Sequence, residues 1–113
     1  MTKESEIQDA VRLQLGREPG VVLWRNNVGT AEHWTPRGVQ RVRYGLAPGS
    51  ADLVGMVDGR FFALELKAPG GRVAPEQEQW MALVRRGGGF ACVVRSVDDA
   101  RAAVARCRAG GAS

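Results

Sequence analysis

Two carboxylates and a lysine stand within the stretch GSADLVGMVDGRFFALELKAPGG, Gly49 to Gly71. Asp58-Gly59, set between apolar runs, is the strongest short-range signal for a two-residue type I′ hairpin turn. With that turn, Val57 faces Arg60, Met56 faces Phe61, Val54 faces Ala63 and Asp52 faces Glu65. Side chains alternate along a strand, so Lys67 projects on the same side as Glu65. The opposite face carries Leu53, Val57, Phe62, Leu64 and Leu66. Both faces are mostly apolar, the pattern of a central strand covered on each side, and the charges gather at one end.

Directly opposed residues have Cβ atoms roughly 4.5–5.5 Å apart, where like charges are destabilising. Two carboxylates about 5 Å apart repel by roughly 3 kcal/mol at an effective dielectric near 20, a large share of the roughly 5–15 kcal/mol that holds a small domain together. Either one acid is protonated or a cation sits between them. With oxygen ligands presented together and Lys67 beside them, a bound Mg²⁺ or Mn²⁺ is the more economical of the two. A salt-bridge cluster at a sheet edge is the plain alternative.

The elements that must position these groups follow from pattern. Ser5 with Gln8 reads as a capping box opening a helix that Gly16 ends, with Ile7, Ala10, Val11 and Leu15 as its apolar stripe. Glu6 borders that stripe and can reach over the sheet beneath. Val21 to Asn26 reads as a strand. Residues 27–50 read as irregular and basic, with Arg37, Arg41 and Arg43 near Trp34 and Tyr44, and Val39 to Tyr44 as an additional short strand. After the hairpin, Pro75 takes the favoured first position of a helix to Arg86, with Trp80, Leu83 and Val84 as its buried face. Phe90 to Arg95 is a continuous apolar run, a buried strand. Ser96 caps a last helix over residues 97–109. A hairpin plus a strand reached through a helical crossover predicts an α/β fold, a mixed sheet flanked by helices.

The chain has 113 residues, 44% hydrophobic and 25% charged, which predicts one soluble domain over residues 1–113. The formal net charge of +4 and a pI near 9.8 favour a polyanionic partner without identifying it. No apolar run is long enough to span a bilayer, and the acidic, amphipathic N-terminus is unlike a signal peptide. Cys92 and Cys107 lack CxxC spacing and read as buried free thiols of a reducing cytoplasm. His33, the only histidine, lies in a polar loop, which disfavours a zinc site or a Ser–His or Cys–His nucleophile. The glycines at 70–71 and 87–89 lack the spacing and following Lys-Ser/Thr of a phosphate-binding loop.

The ordered set of an N-terminal helical Glu6, GSADLVG, ALELKAPGGR, PEQEQW and FACVVRSVDDA resembles the PD-(D/E)XK nuclease superfamily and, more narrowly, its VRR-Nuc family. The resemblance spans nearly the whole chain and implies a restriction-endonuclease-like α-β-β-β-α-β core. It implies that Asp52 and Glu65 bind a divalent metal, Mg²⁺ or Mn²⁺, with the Leu66 carbonyl and, through water or as an outer ligand, Glu6. Lys67 is implied to orient or polarise the attacking water, and Gln77 to orient site groups or contact phosphate. Two departures are visible: Ala51 rather than Pro precedes Asp52, and Ala74 stands where such domains often carry Ser or Thr.

The chemistry implied is metal-dependent hydrolysis of DNA, in which a positive group stands near developing phosphate charge. Arg25, Asn27, Arg37, Arg41, Arg43 and Arg72 are candidate DNA contacts, as are Arg85 and Arg86; a solvated face is the competing explanation for each arginine, and a turn for the Asn pair. The resemblance further implies a phage- or bacterium-associated homodimer acting on branched DNA such as Holliday junctions, in replication, recombination or repair. A non-catalytic DNA-binding module on a nuclease-like fold, or a restriction-type or RNA nuclease of the same superfamily, are the competing functions.

Overall fold

The computed structural model of the protein describes residues 3–113. Three helices and six strands follow the order α1 (Glu4–Leu15), β1 (Val21–Arg25), β2 (Gly29–Thr35), β3 (Gly38–Tyr44), β4 (Leu53–Val57), β5 (Arg60–Leu66), α2 (Pro75–Arg86), β6 (Phe90–Val94) and α3 (Val97–Arg108). The main sheet runs β1-β4-β5-β6, antiparallel except for the β5–β6 pair, which α2 connects as a crossover. This is the predicted restriction-endonuclease-like mixed sheet flanked by helices.

The expected hairpin register holds. Val57 pairs Arg60, Met56 pairs Phe61 and Val54 pairs Ala63. Asp58 and Gly59 both take positive φ, 50° and 82°, as a type I′ turn requires. One face of the sheet buries Leu53, Phe62, Leu64, Leu66 and Phe90 against Ile7, Val11 and Leu15 of α1 and Ala100, Ala103 and Val104 of α3. The other face carries small residues, Ala63 paired with Ala91, so α2 can approach closely through Met81, with Trp80 and Val84 at the margins. Cys92 and Cys107 are buried free thiols, as expected.

Three local expectations are corrected. Helix α1 begins two residues earlier than the Ser5 cap implied: Lys3 is the N-cap residue, and its N–H donates to Glu6 Oε2 at 3.3 Å. Leu83 is exposed rather than buried, because the residues of α2 that reach the sheet recur as Gln77, Trp80, Met81 and Val84, one turn apart. The largest change is in residues 27–50, where the region expected to be irregular, with a short strand only at 39–44, forms a second hairpin, β2–β3, in register from Gly29↔Tyr44 to Thr35↔Gly38. Its turn uses Pro36 and a Gly38 at φ 117°, closed by Thr35 Oγ1 donating to the Gly38 carbonyl at 2.8 Å. No residue of β3 is buried, and this two-stranded arm pairs with no strand of the main sheet.

The far end of the fold is stapled by Arg60. Its guanidinium donates to the carbonyls of Gly88, Gly89, Cys107 and Gly111, at 2.9, 3.2, 3.3 and 2.6 Å, and so serves the C-terminal ends of α2 and α3 together. The orphan carbonyls at helix C-termini need such donors. With that end fixed, the opposite end of the β4–β5 pair is left to chemistry.

A candidate metal-dependent nuclease site

Asp52 stands one step beyond the last ladder pair, Leu53↔Leu64, and so opposite Glu65. It is anchored twice. Its Oδ2 accepts the Leu66 N–H at 2.8 Å, taking the place of the next ladder bond, and its carbonyl accepts the Asn26 N–H at 2.8 Å. Asn26 supplies more of the scaffold: its amide donates to Ser50 Oγ at 2.7 Å and to the Ala51 carbonyl at 2.9 Å, while its Oδ1 accepts the Leu46 N–H at 3.1 Å. The end of β1 thereby fixes the segment that delivers Asp52. Sequence reasoning missed Asn26 because it reads as the last residue of a strand.

Glu65 lies on the central strand, its side chain 3% exposed. Gln77 Nε2 donates to Glu65 Oε1 at 3.2 Å, and Lys67 Nζ stands 3.9 Å from the same oxygen. Lys67 is itself pinned to β6, its N–H donating to the Val94 carbonyl at 3.1 Å. Burial pushes the Glu65 carboxyl up to about 8, reinforced by the Asp52 carboxyl placed to share a proton with it and by the charge of Asp52. Lys67 pulls in the opposite direction, and Glu4 adds a smaller upward push. Without a cation, therefore, the crowded pair keeps a proton at neutral pH, the first of the two resolutions that the sequence left open.

Gln77 has two jobs. As the third residue of α2 its Oε1 accepts the Ala74 N–H at 2.8 Å, supplying the returning half of a capping box that Ala74 itself cannot complete. Its amide nitrogen is thereby aimed at Glu65. Gln77→Glu keeps the cap acceptor but replaces the donor with an acid 3.2 Å from Glu65. Helix stability should therefore hold at pH 5, where the added acid can share the protons of the pair, while cleavage falls about 10–100-fold, the usual effect of losing a group that orients a metal ligand. Equal losses of stability and activity would mean that Gln77 serves only the helix.

Glu6 is not brought to the acid pair: its carboxylate is exposed and occupied at the Lys3 N–H. The α1 residues that line a small cavity with Asp52 and Leu66 are Glu4, Ser5 and Gln8, so Glu4 is the acid of that helix facing the site. The signal was present in the sequence, since Glu4 is one turn from Gln8 on the same helix face; placing the helix start at Ser5 concealed it. Of the candidate DNA contacts, Arg25 and Asn27 bond each other at 3.2 Å and are exposed, as is Arg72. Arg37, Arg41 and Arg43 lie on the β2–β3 arm. Arg85 is engaged in the fold, donating to the Ala91 carbonyl at 3.0 Å.

Whether these residues suit a divalent ion can be judged from their donors. Among the described residues no three His, Cys, Asp or Glu side chains converge at metal-binding spacing. Two carboxylates nonetheless suffice for Mg²⁺, which commonly uses one or two of them and completes an octahedron with waters and substrate phosphate. The set here is all oxygen, held on both sides by main-chain and Gln77 hydrogen bonds. It fits a hard cation.

A mixed sheet that carries an acid pair and a lysine at the open end of its central hairpin defines a restriction-endonuclease-like domain. The VRR-NUC domain model matches residues 2–98, and the chain belongs to that family. The match contains the acid pair, Lys67 and Gln77 and reaches the first turn of α3. No curated protein matches the chain. Family membership makes this a nuclease-type domain, whose substrate class is nucleic acid.

Proposed function

We propose that the protein is a Mg²⁺- or Mn²⁺-dependent endonuclease that hydrolyses phosphodiester bonds of DNA, with selectivity for branched structures such as Holliday junctions, in replication, recombination or repair. The observation that carries this reading is Glu65: an acid buried to 3% exposure, raised to about 8, and faced by Asp52, Lys67 and Gln77. A buried, strongly perturbed carboxyl beside a second acid in a cleft marks a functional site more often than a structural one.

In this reading Asp52 and Glu65 hold the ion, with the Leu66 carbonyl and Glu4 at the margin. A bound divalent cation supplies charge against the phosphate and lowers the pKa of a bound water. Lys67, anchored through its main chain on β6, places a compact positive charge where the attacking water and the scissile phosphate meet. Gln77 fixes the orientation of Glu65, and Asn26 fixes the approach of Asp52. Arg25, Asn27, Arg37, Arg41, Arg43 and Arg72 then supply contacts to the DNA backbone, which set affinity rather than sequence.

Incubation with linear duplex, flap and four-way junction DNA, in Mg²⁺, Mn²⁺ or EDTA, tests the reading. Metal-dependent cuts that favour the branched substrates are expected; DNA binding without cleavage in any metal would contradict it.

A homodimer belongs to the same reading. Val22, Met56 and Phe61 form one cross-strand row on the sheet face beside α2, and with Trp24, 55% exposed, they leave an apolar patch uncovered. Sedimentation equilibrium of the full chain should give twice the monomer mass, and Trp24→Glu should halve it; a wild-type monomer at micromolar concentration would contradict the assignment.

A further inference from the structure

We infer that the cavity at the foot of the β2–β3 arm receives one unstacked nucleobase of the DNA strand being cut, an assignment that rests on the nuclease reading above. The cavity measures about 440 Å³, within the range of small-ligand sites. Its chemistry is that of a nucleotide: the ring of Tyr44, apolar walls from Val28, Leu46 and Pro48, the cation Arg43 and the carboxylate Glu76. Neither Arg43 nor Glu76 has a side-chain hydrogen bond or ion pair among the described residues. A free guanidinium suits a phosphate, and a free carboxylate accepts from an exocyclic amino group on a base edge.

Tyr44 is built to serve as a platform. It is 48% exposed and pairs with Gly29, where an added Cβ would fall 2.5 Å from its hydroxyl oxygen and 2.8 Å from Cζ. Glycine at position 29 therefore lets the ring lie against β2 while it lines the cavity. Stacking on a single aromatic ring is tolerant of base identity, since every base has a π-face.

Two residues that line the cavity adjoin, along the chain, the segments that hold the acid pair. Glu76 immediately precedes Gln77, whose amide reaches Glu65, and Pro48 leads into Ser50–Asp52, held by Asn26. Between them Gly49, at φ 81°, packs so closely on α2 that a Cβ there would fall 2.5 Å from the Glu76 carbonyl oxygen. In this assignment a base seated in the cavity belongs to the strand whose backbone runs on towards Asp52 and Glu65. A base can enter only by leaving its stack, at a cost that is least where it is already unpaired. Selectivity for branch points, gaps and flaps follows from this cavity without any reading of sequence.

The test is made on binding, in EDTA, so that it is independent of cleavage. A duplex carrying one unpaired 5-iodouracil, irradiated with the wild-type protein, should cross-link to Tyr44, and the same base fully paired should not. Tyr44→Ala should weaken binding of the DNA with the unpaired nucleotide about 5- to 150-fold, the range for one base stacked on an aromatic ring. Binding of fully paired duplex should change little, and Tyr44→Phe should restore the difference. Cross-links that map elsewhere, equal losses for both DNAs, or a change of sedimentation with DNA binding intact would overturn the assignment, the last placing a second copy of the chain on this face. Unaltered cleavage of every substrate by Tyr44→Ala would overturn the pocket and leave the nuclease standing. A wild-type protein that binds unpaired DNA through Tyr44 but never cuts it would do the reverse.

Discussion

In Asp52→Asn, cleavage should fall by well over the roughly 100-fold that losing a supporting group around a metal costs, while the domain in EDTA melts several degrees higher than the wild type. The two effects have one cause. Asparagine keeps an oxygen to accept the Leu66 N–H, so the backbone geometry that Asp52 holds at 2.8 Å survives. It removes the charge that faces Glu65 and offers an amide donor in its place. Without the ion, the native pair costs stability: Glu65 must stay protonated at neutral pH although its ordinary value is 4.5, each pH unit between costing about 1.4 kcal/mol. Asparagine relieves the share that the Asp52 charge causes, and a gain of about 1 kcal/mol raises the melting temperature of a domain this size by about 4 °C. With the ion, the same charge becomes a ligand, and its loss removes the site. Circular-dichroism melts in EDTA beside cleavage assays in Mg²⁺ and Mn²⁺ check both halves. A variant that cuts DNA at the wild-type rate would dispose of Asp52 as a ligand.

Glu65 gives the second large effect, and its sign is unusual for a carboxylate. Its folded pKa, about 8, lies above the ordinary value of 4.5. Between those values the folded state holds a proton that the unfolded state has released, so the unfolded state binds fewer protons and stability falls as pH rises. The stability is fully present below about pH 4.5 and is lost as pH rises towards 8, by an amount on the order of a few kcal/mol. Urea titrations in EDTA at pH 5, 6, 7 and 8 should show this decline, and Glu65→Gln should flatten it. Saturating Mg²⁺ should stabilise more at pH 8 than at pH 5, because the ion and the proton compete for the same oxygens. A wild-type protein in EDTA that grows more stable from pH 5 to pH 8 would show that the pair is not crowded.

The hairpin was legible in the sequence because two independent signals agree on one register. Asp58-Gly59 fixes the turn, and burial fixes which side chains face inwards, since a slip of one residue would turn Leu53, Phe62, Leu64 and Leu66 out of the core. Once that register holds, the meeting of Asp52 and Glu65 follows by counting. Helix α2 was equally legible from Pro75 to Arg86, and with it Gln77, because proline marks the start and the glycines at 87–89 the end.

Of the arm only the strand at 39–44 was legible; β2 and the pairing were not, and the reason is physical. Alternation of apolar and polar residues records one buried face, and β3 buries neither, so GVQRVRY carries no period that specifies a strand partner. Its turn, Thr35-Pro36-Arg37-Gly38, lacks the Asn-Gly or Asp-Gly signature that marks the other hairpin. The cavity beneath the arm was hidden for the same reason, because it exists only through the pairing of Gly29 with Tyr44. Glu4 was hidden by a smaller error: a helix end moved by two residues exchanges which acid looks onto the sheet. Asn26 shows a third limit, since its four hydrogen bonds join segments some twenty-five residues apart and no local pattern foretells them.

The most direct measurement is a crystal of the wild-type protein grown in MnCl₂ and recorded near the manganese absorption edge. An anomalous peak is expected between Asp52 and Glu65, each carboxylate contributing an oxygen to it, with Gln77 still hydrogen-bonded to Glu65. A map with no peak there, and Glu65 still sharing its proton with Asp52 at saturating manganese, would contradict it.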